Sequence, residues 1–156
     1  MIQRIQTIYL VLTTALMSLT LFLPLATICS GSEEVVVKAF GVDVASFGFD
    51  LPLPFYLGTV LIAATLLPFV TIFLFKKRLT QIRLCVSEIV LLLGSAGFIA
   101  LYCYRLVSLL SEVLSNLIFT LGFASLMPVV AIIPVVLAIR GIAKDEALVR
   151  SLDRIR

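Results

Sequence analysis

The sequence contains no histidine and little charge: of 156 residues, only 13% are Asp, Glu, Lys or Arg, and three are cysteine. Without imidazole, the commonest general base and the commonest zinc ligand are both missing. Cys29, Cys85 and Cys103 stand at no metal-ligand spacing. A paired-carboxylate site and a glycine-rich phosphate loop are lacking as well, so no motif names a reaction and the chain reads as non-enzymatic, with no cofactor or metal. A proton relay would want a second buried acid or a histidine. Internal repeats and low-complexity segments are also absent, and no linker is long enough to divide the chain, which reads as one domain over residues 1–156.

What fills the space is apolar. Hydrophobic residues make up 62% of the chain, against roughly 45–50% in ordinary soluble domains. A soluble globule could not bury that excess. The apolar residues fall into four long runs, at residues 8–28, 53–75, 84–104 and 117–139. At about 1.5 Å rise per residue each is roughly 31–35 Å long as a helix, enough for a hydrocarbon core of about 30 Å. In lipid, backbone groups must be paired within a segment or around a closed barrel. Barrel strands would alternate apolar with polar residues, and these runs do not. The fold class expected is therefore an all-α membrane protein, a bundle of four transmembrane helices running up and down. The first run is too long for a signal-peptide core, and Ile28 stands where a cleavage site wants a small residue, so it is expected to remain as a span.

Charge sets the expected orientation. With four spans, Arg4, the loop containing Lys76, Lys77, Arg78 and Arg83, and the tail containing Arg140, Lys144, Arg150, Arg154 and Arg156 share one side. Only Lys38 and Arg105 fall on the other. Short basic loops stay cytoplasmic, which places both termini in the cytoplasm and, in a Gram-negative cell, the protein in the inner membrane. These bases flank helix ends without interleaved aromatics, so anionic lipid headgroups at Lys76, Lys77, Arg78 and the tail are the expected partners, and nucleic acid is not.

The tail itself, "GIAKDEALVRSLDRIR", places Ile142, Leu148, Leu152 and Ile155 near one helical face, with Lys144, Arg150 and Arg154 elsewhere. This predicts an amphipathic helix lying in the membrane interface, free to swivel at Gly141. Together with the start "MIQRIQTIYL", the segment "LFLPLA" and the loop "FLFKKRLTQIRLC", the ending "LAIRGIAKDEALVRSLDRIR" resembles the bacterial membrane-protein family catalogued as domain of unknown function 4293. The likeness covers nearly the whole chain and rests most on the two cytoplasmic segments. It implies four membrane helices and brings no established activity or catalytic residue. At Glu88 the family pattern would have a neutral residue, which argues against an essential role for that carboxylate.

Glu88 is nonetheless the one ionisable residue well inside an expected span, and so a candidate intramembrane polar site. Lying only four residues beyond Leu84, it could reach the headgroup region or meet Lys76 or Lys77. Pro128 and Pro134 in "MPVVAIIP" are a candidate hinge, against simple shaping of the bundle. "GSAG" at residues 94–97 and the seam of Thr7, Thr14 and Ser18 read as helix-packing contacts, a substrate path being the other reading. In the first loop, "EEVVVKAFGVDVASFGF" is rich in β-branched and aromatic residues around Gly41, which suggests a small hairpin cap that must pack on something to persist. Glu34 and Lys38 there, with Lys144, Arg150 and Arg154 in the tail, are the candidate docking residues. "RLVSLLSEVLSN" is expected to continue the third or fourth helix. Cys29 and Cys103 both fall toward the outer face, where a disulfide would be permitted if the first and third helices adjoin. The functional expectation is a non-enzymatic interaction or accessory membrane protein, with a membrane-protein partner or a second copy of itself packed through "GSAG" as the expected companion; the alternative is a small transporter or channel subunit, and a membrane enzyme is the reading with least behind it.

Overall fold

Apolar runs of this length form helices because a backbone in lipid must satisfy its own hydrogen bonds. In the computed structural model, α1 (Ile2–Phe22), α2 (Phe55–Phe73), α3 (Arg78–Ser111) and α4 (Met127–Asp153) carry most of the chain. The structure describes residues 2–30, 33–44, 54–74, 78–112 and 116–153, leaving aside the side chains of residues 2–4, 33, 44 and 150–153. All four helices are long and apolar enough to cross a membrane, with mean hydropathy of 1.7 to 2.3 over their spanning windows. The protein is a multi-pass membrane protein by that measure. At 34 residues, α3 is roughly 51 Å long and must project well beyond a hydrocarbon core of about 30 Å.

Packing follows a heptad-like seam on each helix. On α3 the buried positions are Gln81, Cys85, Glu88, Leu92, Ser95, Ile99, Cys103, Leu106 and Leu110, alternating steps of four and three that keep one face turned inward. On α1 they are Gln6, Leu10, Thr13, Met17 and Thr20. α1 packs on α2 and α4, and α3 packs on the same two. The opposite faces carry exposed Ile8, Val90, Leu101 and Ile133, the surface that lipid tails would cover.

Four strands correct the all-α expectation. β1 (Ala26–Ser30), β2 (Glu33–Val37), β3 (Val42–Val44) and β4 (Ile118–Leu121) form an antiparallel sheet in the order β3-β2-β1-β4. The hairpin suggested around Gly41 is there: Val35 faces Val44, and the Lys38 N–H donates to the Gly41 carbonyl across the turn at 2.9 Å. It persists because β1 flanks it, with Ala26 opposite Val37 and Ile28 opposite Val35, all four buried. These residues belong to the same hydrophobic core as the helix seams.

Two expected span boundaries move as a result. The first helix stops at Phe22 and not at residue 28, since Pro24 cannot continue it, and residues 26–30 pair as a strand. The fourth helix does not begin at residue 117: Ile118–Leu121 pairs with β1, Ala26 opposite Leu121 and Cys29 opposite Ile118, and a short 3-10 turn, Phe123–Leu126, leads into α4. "RLVSLLSEVLSN" continues α3 as far as Ser111 only, and Asn116, at φ 65°, takes the left-handed turn before β4.

Gly122 makes the closure possible. A Cβ there would lie 2.3 Å from the Pro24 carbonyl oxygen and 2.9 Å from that of Leu25, while the Gly122 N–H donates to the Leu25 carbonyl at 2.8 Å. Gly58 plays the same part on α2, where a Cβ would meet the Phe40 ring at 2.7 Å. Gly122→Ala is expected to destabilise the fold by about 1–3 kcal/mol, read as a lower thermal midpoint of the detergent-purified protein. Gly41→Ala, where nothing lies within 4 Å, should leave that midpoint in place.

Candidate functional site

Apart from hydroxyls, the polar residues of the described seams divide into a layer near the helix ends remote from the sheet and a single carboxylate deeper in. In the first, Gln6 of α1 donates from Nε2 to Asp145 Oδ2 of α4 at 2.7 Å. Arg78 at the start of α3 donates to the Asp145 backbone carbonyl at 3.2 Å. Gln81 of α3 reaches the Thr71 carbonyl near the end of α2 at 3.4 Å. All four helices are thus tied in register at one level, and Asp145 is only 8% exposed.

This layer corrects the reading of the tail as a separate interfacial helix. α4 runs unbroken through Gly141 to Asp153, and Ile142 and Asp145 are buried against the bundle. Gly141 is a close-packing point, where a Cβ would stand 3.1 Å from Gln6 Cγ. The sequence reading assigned Ile142 to a lipid-facing stripe because a single helical projection cannot distinguish a bundle seam from a membrane-facing one.

Glu88 sits one heptad beyond Gln81 on the α3 seam. It is 1% exposed, and neither carboxylate oxygen has a hydrogen-bond partner among the described residues. Its place inside the bundle excludes the snorkelling geometry considered from sequence, and Lys76 and Lys77 lie outside the described residues. The buried hydroxyls of the α1 and α3 seams are turned to their own helices: Thr13 donates to the Tyr9 carbonyl at 3.0 Å, Ser95 to Leu92 at 2.8 Å and Thr20 to Leu16 at 3.1 Å.

The remaining candidates are dispersed. Pro128 is buried in the first turn of α4, where a helix has no intrahelical acceptor to lose, so only Pro134 interrupts the helical ladder and the two do not make a mid-helix hinge. Gly94 and Gly97 face outward with nothing within 4 Å, while Ser95 between them is buried. Thr14 and Ser18 bond to their own helix and border an open cleft of about 290 Å³ with Phe69 and Ile72 of α2. Glu34 is exposed on β2, and Lys38, also exposed, is ion-paired with Asp43, a surface pair of small energetic weight. Lys144 is exposed on α4; the Arg150 side chain and Arg154 lie outside the described residues. Arg78, expected at lipid headgroups, spends one N–H on Asp145. The three cysteines are free thiols, with Cys29 in β1 and Cys103 buried on α3. No group of three or more potential metal ligands occurs among the described residues.

Sequence reasoning missed the Gln6–Asp145 tie, since nothing in either local pattern marks residues so far apart in the chain as partners. The one usable signal was an amide at Gln6 on the inward face of a span. Asp145→Ala leaves the Gln6 amide buried without its acceptor, and should cost about 1–3 kcal/mol. Lys144→Ala, on the exposed face, should stay within about 0.5 kcal/mol. Unfolding midpoints of the two variants side by side test the assignment.

Comparison with curated proteins gives no match. The chain does match, over residues 2–155, the family described as domain of unknown function DUF4293. That match takes in all four helices and the sheet, and the protein belongs to this family.

Proposed function

We propose that this protein is a non-enzymatic interaction or accessory subunit of a bacterial inner membrane, an up-down bundle with both termini cytoplasmic and the sheet on the outer face. The orientation is supported by the position of the basic residues. Arg78, Arg83, Arg140 and Lys144 gather toward the end that carries the Gln6–Asp145 layer, and the sheet end carries Glu34 and Asp43. The up-down course is supported by each helix packing on two neighbours and by the short connection from α2 to α3. Anionic lipid headgroups remain the partners proposed for the basic end.

The observation that carries the interaction reading is β4. It is an edge strand of the sheet, all four of its residues are exposed, and Ile118 and Leu121 are 67% and 56% open, with Phe123 beside them at 73%. Soluble edge strands are normally blunted by charge, proline or a covering element, and Ile118–Leu121 carries neither charge nor proline. An extended segment of a partner could add to such an edge. A small transporter or channel subunit is the second reading, and Glu88 is what favours it.

Ile118→Lys tests the first reading. On so exposed a site the substitution should leave the thermal midpoint within about 0.5 kcal/mol of wild type. It should also remove a stoichiometric companion captured by crosslinking tagged protein in its native membrane. Substitutions at Glu34, Lys38, Lys144 and Arg150 extend the test to both faces; a companion retained by every one of these variants would sink the proposal.

A further inference from the structure

We infer that Glu88 is a binding site for one exchangeable monovalent cation, a proton or an alkali ion, held inside the bundle. The inference does not depend on the accessory-subunit reading. It rests on the register of the four seams. Gln6, Thr71, Gln81 and Asp145 mark one level through their hydrogen bonds. Seven residues along each helix from that level, roughly 10 Å, stand Thr13, Ala64, Glu88 and Ala138. Each is at most 1% exposed. Three small side chains at the level of one carboxyl offer it no fixed charge.

At this level the polar side chain other than Glu88 is Thr13, and it supplies an acceptor and no donor. Thr13 has committed its hydroxyl proton to the Tyr9 carbonyl, so its oxygen can only accept. The amides of Gln6 and Gln81 are engaged in the neighbouring layer. A bare carboxylate wants donors; a protonated carboxyl or a carboxylate holding an alkali ion is the species that acceptors suit. The titratable and charged groups facing Glu88 do not change this. α3 itself brings Cys85, one turn away on the same seam; α1 brings Tyr9, half-buried; α2 brings none between Leu57 and Thr71; and α4 brings Asp145, held by Gln6, with Arg140 exposed on its outer side. An unpaired charge in so dry a place is expensive. With no cationic side chain facing it among the described residues, the compensating charge is a mobile one.

A hydrophobic carbodiimide separates the cases. Dicyclohexylcarbodiimide adds across the O–H of a protonated carboxyl and rearranges to a stable N-acylurea, with no atom lost. Full-length protein in lipid vesicles is treated across a pH series, with sodium chloride or choline chloride, and the adduct is mapped by peptide mass spectrometry. Labelling at Glu88 that is lost as pH rises and indifferent to sodium identifies a proton site. Labelling suppressed by sodium and spared by choline identifies an alkali-ion site. Wild-type peptides carry the result, so it does not depend on a variant folding; Glu88→Gln adds a second readout, since any sodium or pH dependence of the wild-type thermal midpoint due to this site should be missing from it. No adduct at Glu88 at any pH, or an adduct insensitive to both pH and sodium, overturns the inference.

Discussion

The pairing of β1 with β4 is the contact on which the rest of the architecture depends. A buried backbone group must find a partner, and helices meet that demand only until something breaks them. Pro24 breaks the first and Gly122 precedes the last. The polar backbone freed between those breaks and the helices is satisfied by two strands that are remote in sequence, Ala26–Ser30 and Ile118–Leu121. Leu25 is the hub of the closure: its N–H donates to Val37, its carbonyl accepts from Gly122, and its side chain is fully buried. This one neighbourhood links the end of α1, the hairpin and the start of α4.

A second constraint acts at the opposite end, where the Gln6–Asp145 and Arg78–Asp145 bonds join α1, α3 and α4. Between the two ends the seam residues interlock at heptad steps, and their hydroxyls stay with the carbonyls of their own helices. Such local bonds add little adhesion between helices. Specificity of packing therefore comes from shape, including the small residues Ala64, Ala131 and Ala138, all fully buried, and from the polar layer, which fixes the register.

The four apolar runs were legible because length and hydropathy alone decide them. Their ends were not, in two places and for one reason: an apolar run reads the same whether its last residues turn helical or pair as a strand. "ATIC" continues the first run and "IFTL" opens the fourth, and only their mutual pairing across most of the chain makes them a sheet. The hairpin around Gly41 was visible because both of its strands and its turn are local. For the tail, periodicity gave the helix correctly and the surroundings of Ile142 wrongly, since Ile142 and Asp145 face protein, while Leu148 is exposed. Glu88 was visible as an oddity, but its enclosure was not: only the assembled seams show the carboxyl to be 1% exposed.

Glu88 and Asp145 make an informative pair because both are buried and their surroundings differ in kind. Asp145 accepts a hydrogen bond from a fixed amide, at the margin of the bundle, where removing either partner strands the other. That is how a carboxylate is used to hold helices in register. Glu88 holds nothing: no described residue bonds to it, and a leucine at that position would keep the seam apolar at lower electrostatic cost. Packing does not explain a carboxyl group there. What a carboxyl has and leucine lacks is the capacity to carry and release charge, which makes Glu88 a buried residue of the bundle whose chemistry exceeds what the fold of the described residues requires.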